Sequence, residues 1–200
     1  MTTSSDIIPV VAPANLLSGP PQGQWTYADY AALTAEGEYF EIINGVVYMS
    51  PAPNIAHQNA NSLIHYYLNQ YVRFKGLGQV LAAPIDVELA PKLVVQPDVV
   101  VVLKENLGIL HPSHIIGRPD LVVEIMSPST AGYDRRVKQD IYAQYGIPEY
   151  WIADPASKTV ELLKLSGPAY VSQGVYQGQA QLPTQIIPSF PVAVAEFFVD

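Results

Sequence analysis

The sequence predicts a mixed α/β fold, in which a β-sheet is covered by helices. Two apolar runs, 98–103 and 120–126, have the character of strands buried on both faces. Segment 57–75 carries apolar residues at helical spacing. A second helix is predicted over 133–145, ended by a glycine and a proline. Strands and helices that alternate along a chain are typical of a layered α/β domain.

Length and composition suit one globular domain. The chain has 200 residues, of which 49% are hydrophobic and 14% charged, so it can bury a sizeable core. Residues 1–23 are rich in Pro, Ser and Gly and are predicted to be a flexible tail before one domain over 24–200. The absence of cysteine excludes disulfides and thiolate metal sites.

Charge and hydropathy restrict the function classes. No apolar run reaches the roughly 18 residues of a membrane-spanning helix, and the first residues lack a basic signal-peptide start. We therefore expect a cytoplasmic protein without membrane association. The net charge of −8 is unusual for a nucleic-acid binder. Binding to nucleic acid requires clustered positive residues, or metal ions that offset the carboxylates.

The N-terminal elements have local signals. Thr26-Tyr27-Ala28-Asp29 resembles a capping box and predicts a short helix ending near Gly37. Asn44-Gly45 is a two-residue turn signal between apolar runs, and it predicts a hairpin over 39–49. The amphipathic helix at 57–75 follows, and glycines end it.

The rest of the chain is mostly strand. Alternating apolar and acidic residues predict a strand over 79–89. The C-terminal part is strand-like to its end, with 159–165 paired to the preceding strand. The predicted sheet is a single one, composed of strands 79–89, 98–103, 120–126 and 149–153.

Two carboxylates lie in runs where burial makes them costly. Glu124 is inside Leu121-Val122-Val123-Glu124-Ile125-Met126, and Asp98 begins a run of four valines. An ionised carboxylate in such a strand costs several kcal/mol unless it is paired. On adjacent strands the two carboxylates can converge on a hard divalent cation, and the carbonyl of Ile125 can add a third oxygen. Lys138, on the predicted helix 133–145, is the candidate to stabilise a metal-bound hydroxide and the developing negative charge.

Each of these residues also has a purely structural interpretation. Asp98 follows a proline, and Pro-Asp is a common turn element. Glu124 can form an ion pair with Arg118 or with an arginine of the helix at 133–145. Lys138 can be a solvated surface lysine, and Asp86 can lie on a solvated strand face as well as beside the site.

Three stretches carry a family resemblance. Pro97-Asp98, then Glu124-Ile125-Met126-Ser127-Pro128-Ser129-Thr130, then Asp134-Arg135-Arg136-Val137-Lys138 with Tyr142, resemble the Uma-two family of restriction endonucleases. That family belongs to the PD-(D/E)XK nuclease superfamily. The resemblance runs from about Thr26 to the C-terminus, and it includes Tyr39-Phe40-Glu41-Ile42-Ile43-Asn44-Gly45.

The resemblance implies a restriction-endonuclease-like fold and Mg²⁺-dependent hydrolysis of DNA phosphodiesters. It assigns Asp98 and Glu124 as metal ligands, with Mn²⁺ as the alternative ion. The usual superfamily pattern places a lysine two residues after the acidic residue, which here is Met126. The sequence departs from that pattern, and the resemblance implies that Lys138 on the following helix replaces that lysine.

Further residues are candidates for support of this site. Glu41 matches a family position and can reach the metal cluster or be a hairpin surface charge. His57 opens a helix, where it can bind phosphate or only cap the helix. Tyr142 can orient the lysine one turn before it or pack in the core. Arg135 and Arg136 are assigned to phosphate contacts, with exposed helix charges as the alternative.

The sequence thus predicts a metal-dependent endodeoxyribonuclease. A homodimer is expected by analogy, because two sites are the simplest way to cut two strands. Two alternatives stay open. One is a catalytically inactive nucleic-acid-binding module, and the other is a structural protein in which the carboxylates form buried ion pairs.

Overall fold

The computed structural model describes residues 17–33, 40–49, 52–127 and 137–199, and it confirms the mixed α/β class. Its strands form two sheets, of which the larger contains the four strands predicted as one sheet, with only the first part of 79–89, and the smaller was not predicted. The smaller sheet contains β1 (Phe40–Ile43), β2 (Val46–Met49), β4 (Val87–Ala90), β5 (Leu93–Val95) and β7 (Ile115–Ile116). The larger contains β3 (Gly78–Ala82), β6 (Val99–Leu103), β8 (Leu121–Ile125), β9 (Glu149–Asp154), β10 (Thr159–Ser166) and β11 (Ala169–Gln177).

The strand orders are β2-β1-β5-β4-β7 and β11-β10-β9-β8-β6-β3. The helices are α1 (Tyr27–Leu33), α2 (Ile55–Leu68), which continues as a π-helical turn (Asn69–Arg73), α3 (Gln139–Gln144) and two 3₁₀ helices (Lys104–Ile109 and Val194–Phe197). No helix among the described residues is both long and apolar enough to cross a membrane.

β8 occupies the middle of the larger sheet. It pairs antiparallel with β6 and parallel with β9, and all five of its residues are buried. One face of these strands packs against α2, whose buried side chains include Ile64 and Leu68. The other face packs against Ile141 and Tyr142 of α3 and against the smaller sheet. Both faces are covered, which explains the continuous apolar runs.

The predicted strand over 79–89 is wrong as one element. The chain leaves the larger sheet after β3 and joins the smaller sheet at β4. Pro84 lies in the break and has no N–H for a strand ladder, and the N–H of Ala83 donates instead to the carbonyl of Asp98 at 2.9 Å. Alternation therefore predicted the strand residues correctly in part but missed the change of sheet.

The C-terminal part also differs from its strand-like prediction. After β11 the chain forms turns and the 3₁₀ helix Val194–Phe197. Large apolar side chains here, such as Phe190 and Phe197, complete the core beneath α2. A run of aromatic and β-branched residues thus marks burial, but a short irregular segment buries them as well as a strand does.

The N-terminal predictions hold where they can be compared. The N–H and hydroxyl of Thr26 donate to the Oδ2 atom of Asp29 at 2.9 and 2.6 Å, next to α1. β1 and β2 form the predicted hairpin, and Asn44 and Gly45 have positive φ angles of 53° and 75°. A two-residue turn of this hand needs positive φ at both positions. Of the predicted tail, 17–23 are described, and Gly23 donates to the carbonyl of Gly45.

Candidate functional site

The candidate site lies where the chain passes from one sheet to the other. Gln96-Pro97-Asp98 connects β5 of the smaller sheet to β6 of the larger sheet. Glu41 comes from β1, Glu124 from β8. Both sheets therefore contribute side chains, and neither sheet alone forms the site.

Asp98 immediately precedes β6, and Glu124 lies on the neighbouring strand β8. Val99 of β6 is opposite Val123 of β8, so each carboxylate is adjacent in sequence to one residue of that pair. The Oδ2 atom of Asp98 accepts a hydrogen bond from the N–H of Ile125 at 2.7 Å. It also lies 3.2 Å from Nε2 of His57, in the first turn of α2.

Glu124 is almost fully buried and interacts with two groups of the α3 region. Its Oε1 atom accepts hydrogen bonds from Nζ of Lys138 at 2.9 Å and from the hydroxyl of Tyr142 at 2.5 Å. The two donors are four residues apart on the segment that packs beside β8, so one helical face presents both. Arg118, considered above as a partner of Glu124, donates to the carbonyl of Gly146.

Lys138 lies between two carboxylates. Its Nζ atom is 2.9 Å from Oε1 of Glu124 and 2.9 Å from Oε1 of Glu41. The three side chains are only 7%, 4% and 5% exposed. With all three groups ionised, the trio carries a net charge of −1. Desolvated carboxylates are costly without a counter-charge, so the ammonium group of Lys138 serves both of them.

Tyr142 is fully buried, and burial raises the pKa of its hydroxyl well above the usual value. The negative charge of Glu124 raises this pKa further, while Lys138 acts in the opposite direction. The phenol therefore stays protonated near neutral pH and can donate to the carboxylate. This arrangement holds the Glu124 side chain in one orientation.

A second polar network adjoins Glu41 through Gln96. The backbone N–H of Gln96 donates to Oε1 of Glu41 at 2.9 Å. The side-chain amide of Gln96 donates to Oδ1 of Asp86 at 2.7 Å and to the hydroxyl of Tyr30 at 2.9 Å. Sequence reasoning missed Gln96. The sequence feature that could have identified Gln96 is its position as a polar residue between Val95 and Pro97, which are both buried.

Replacement of Asp86 by Asn is expected to change the pH dependence of folding. Burial raises the pKa of Asp86 above its ordinary value of 3.8, although the hydrogen bonds from Gln96 and Tyr30 lower it. The folded state therefore binds more protons than the unfolded state above pH 3.8, and stability falls as the pH rises through that window. We expect the unfolding free energy of Asp86→Asn, relative to wild type, to increase from about pH 3.5 to 7.

Asp29→Asn is the matched control with the opposite sign. Hydrogen bonds from the Thr26 hydroxyl and backbone lower the pKa of Asp29. The stabilisation from Asp29 is thus present above pH 3.8 and is lost as the pH falls through the lowered pKa. Urea unfolding at several pH values distinguishes the two variants. The same pH trend in both contradicts the assignment.

The structure brings most of the predicted residues together. Asp98, Glu124 and Lys138 occupy the junction of the sheets, and Glu41 and Tyr142 contact Lys138 or Glu124 directly. His57 and Ile125 both contact Asp98. The predicted phosphate contacts of Arg135 and Arg136 lie outside the described residues.

The donor set suits a hard cation, although it is small. Within the described part of the chain, no three His, Asp or Glu side chains cluster as metal ligands. Asp98 and Glu124 nevertheless offer carboxylate oxygens next to Val99 and Val123, which are paired on neighbouring strands. Mg²⁺ commonly takes one or two carboxylates and completes its shell with water and substrate oxygens. The residues present therefore fit such an ion.

Comparisons with known proteins agree with this fold. A family model, Uma2, described as "Putative restriction endonuclease", matches residues 27–195. A solved structure from Anabaena variabilis ATCC 29413, described as "a putative nuclease belonging to DUF820", is similar with a TM-score of 0.70. The sequence identity is 19%, and the match covers 87% of this chain and 97% of that chain. No curated protein matches the chain.

Proposed function

Since the chain belongs to the Uma2 family, we propose that it is a metal-dependent endonuclease that hydrolyses phosphodiester bonds of DNA. The observation that carries this proposal is the position of Lys138 between Glu41 and Glu124, three buried charged side chains in contact at the junction of the sheets. Three charges are expensive to keep in a core for packing alone. A function that uses a bound cation and an anionic substrate gives each of the three charged side chains a role.

Asp98, Glu124 and the backbone carbonyl of Ile125 are the proposed ligands of Mg²⁺, with Mn²⁺ as the alternative. When bound, such an ion lowers the pKa of a coordinated water and polarises a phosphoryl oxygen. The hydrogen bond from the N–H of Ile125 orients Asp98. Tyr142 orients Glu124 in the same way from the α3 side.

Lys138 is the proposed electrostatic catalyst. Its ammonium group holds the attacking water and stabilises the negative charge that develops on the phosphate. Water loses a proton to solvent as its oxygen adds to phosphorus in line with the 3′ oxygen, the P–O3′ bond breaks, and the leaving 3′ oxygen takes up a proton from solvent. Glu41 keeps the ammonium group in place from the opposite side, and His57 supports Asp98.

The substrate and assembly are also part of the proposal. Arg135 and Arg136 contact phosphates, which gives an acidic chain a local positive region. A homodimer carries two sites for the two strands, and the protein works in the cytoplasm. A catalytically inactive module on the same fold is the alternative, and it predicts nucleic-acid binding that persists in EDTA without cleavage.

Cleavage of supercoiled plasmid tests the activity. We expect wild type to nick or linearise the plasmid with Mg²⁺ or Mn²⁺ and to lose this activity in EDTA. Asp98→Asn is expected to lower the cleavage rate by about a hundredfold or more, since a ligand contributes several kcal/mol of charge stabilisation. Asp154→Asn is the control, because Asp154 caps a distant turn through Ala156 and Ser157. An inactive wild type that also binds no metal in calorimetry contradicts the proposal.

A further inference from the structure

A second surface, at the far end of α2, has the chemistry of a nucleic-acid contact. Three tyrosines, a glutamine and a lysine line a depression of about 240 Å³ on the helix and the π-helical turn that follows it. We call this surface the tyrosine patch, and it is composed of Tyr66, Tyr67, Gln70, Tyr71 and Lys75. It is separate from the junction of the sheets that holds Glu124.

The aromatic rings of the patch are arranged for contact with a flat ligand. Tyr66 is 54% exposed, and its ring centroid lies 5.1 Å from that of Tyr67. Tyr67 is held by the C-terminal segment, where its hydroxyl donates to Oε2 of Glu196 at 3.1 Å. Tyr71 packs edge-on against Phe190. The plane of the exposed Tyr66 ring is 74° from that of Tyr67, so the Tyr66 ring by itself offers a face on which a base can stack.

The charge around the patch is opposite to that of the whole chain. The protein carries a net charge of −8, yet residues 42–85 contain no Asp or Glu, and they include Arg73 and Lys75. Both cations are exposed. Glu196 places a carboxylate beside the Tyr67 hydroxyl. The exposed Arg73 and Lys75 supply positive charge that complements a polyanion.

The helix also connects the patch to the candidate catalytic site. His57, in the first turn of α2, lies 3.2 Å from Asp98. Tyr66 is nine residues further on, which is about 14 Å along a helix. That distance corresponds to a few nucleotides of an extended strand. We propose that the tyrosine patch binds an unpaired stretch of the nucleic-acid substrate, with a base stacked on Tyr66 and a phosphate contacted by Lys75.

This inference rests on the proposed function for its substrate class, but it can be tested without turnover. The full chain is titrated in EDTA against a fluorescein-labelled dT12 oligonucleotide and against a 12-base-pair duplex, with anisotropy as the readout. We expect tighter binding of dT12, because duplex bases are already stacked. Tyr66→Ala is expected to weaken binding at least about fivefold, whereas Tyr66→Phe keeps the stacking face and changes it less than about twofold.

Lys75→Gln tests the phosphate contact. For a single strand, loss of one contact is expected to reduce the slope of log K against log salt by about 0.7. Lys104→Gln removes the same charge from an exposed position outside the patch and is expected to leave the slope unchanged. The inference is overturned if Tyr66→Ala binds dT12 as tightly as wild type does. It is also overturned if Lys104→Gln reduces the salt slope as much as Lys75→Gln does. A change of oligomeric state in the patch variants, measured by light scattering, also overturns the inference, because it shows that the patch serves self-association.

The outcomes separate this inference from the proposed function. A wild type that binds dT12 through Tyr66 but neither cuts plasmid nor binds metal supports the patch and contradicts the nuclease. A wild type that cuts plasmid but binds dT12 independently of Tyr66 contradicts the patch alone. A wild type that neither binds nor cuts contradicts both.

Discussion

Glu124→Gln is expected to lower the metal-dependent cleavage rate of supercoiled plasmid by about a thousandfold. The substitution keeps the shape of the side chain and an oxygen that can accept from Lys138 and Tyr142. It removes the negative charge that a divalent cation needs from this ligand, and such stabilisation is worth several kcal/mol in the transition state. Initial rates of nicking at several Mg²⁺ concentrations measure the effect.

Glu105→Gln is the control for this substitution. Glu105 is an exposed carboxylate in the first turn of a 3₁₀ helix, so its loss changes the net charge equally and is expected to leave the rate within about twofold. Circular dichroism and the urea midpoint show whether Glu124→Gln is folded. A folded Glu124→Gln variant that cuts at the wild-type rate rules out Glu124 as a metal ligand.

Lys138→Met is expected to destabilise the folded protein by about 3–5 kcal/mol at pH 7. The methionine replaces the aliphatic stem but leaves Glu41 and Glu124 close together in the core without the ammonium that lies 2.9 Å from both. Two like charges in a buried site repel, and their desolvation is then uncompensated. Urea unfolding at equilibrium measures the loss.

A double variant identifies the cause of that loss. Lys138→Met with Glu41→Gln removes one of the two carboxylates, so we expect it to recover part of the stability relative to Lys138→Met alone. Lys104→Met, at an exposed position, is expected to change stability by no more than about 0.5 kcal/mol. If Lys138→Met is as stable as wild type, the ion pairs do not support the fold.

The same variants distinguish the nuclease from a purely structural protein. In a structural protein, an apolar residue of similar size at Glu124 is often neutral or stabilising once Lys138 is also replaced. A purely structural protein binds no metal at this site, and its unfolding free energy is independent of the Mg²⁺ concentration. In the proposed nuclease, Mg²⁺ stabilises the wild type by an amount that rises with the logarithm of its concentration above Kd, and Asp98→Asn weakens that stabilisation.

Local patterns in the sequence determined much of the fold. The valine-rich runs became β6 and β8, and the Asn44-Gly45 signal became the hairpin of β1 and β2. The burial of a strand and the geometry of a turn depend on a few neighbouring residues, so the apolar pattern and the turn residues predict them. For the same reason Glu124 stood out, because a charged side chain in a doubly buried strand conflicts with its neighbours.

The tertiary structure alone decided how the site is assembled. Glu41 and Lys138 meet across the junction of two sheets, and Gln96 joins Glu41 to Asp86 through one backbone and one side-chain hydrogen bond. The predicted sheet is present, but all of 79–89 was assigned to it, because alternation reports which residues are buried but not which strand they pair with. Strand pairing depends on the packing free energy of the whole chain, and no local pattern contains it. The acidic residues and Lys138 were therefore visible in the sequence, whereas only the folded protein shows that Glu41 and Glu124 share this lysine.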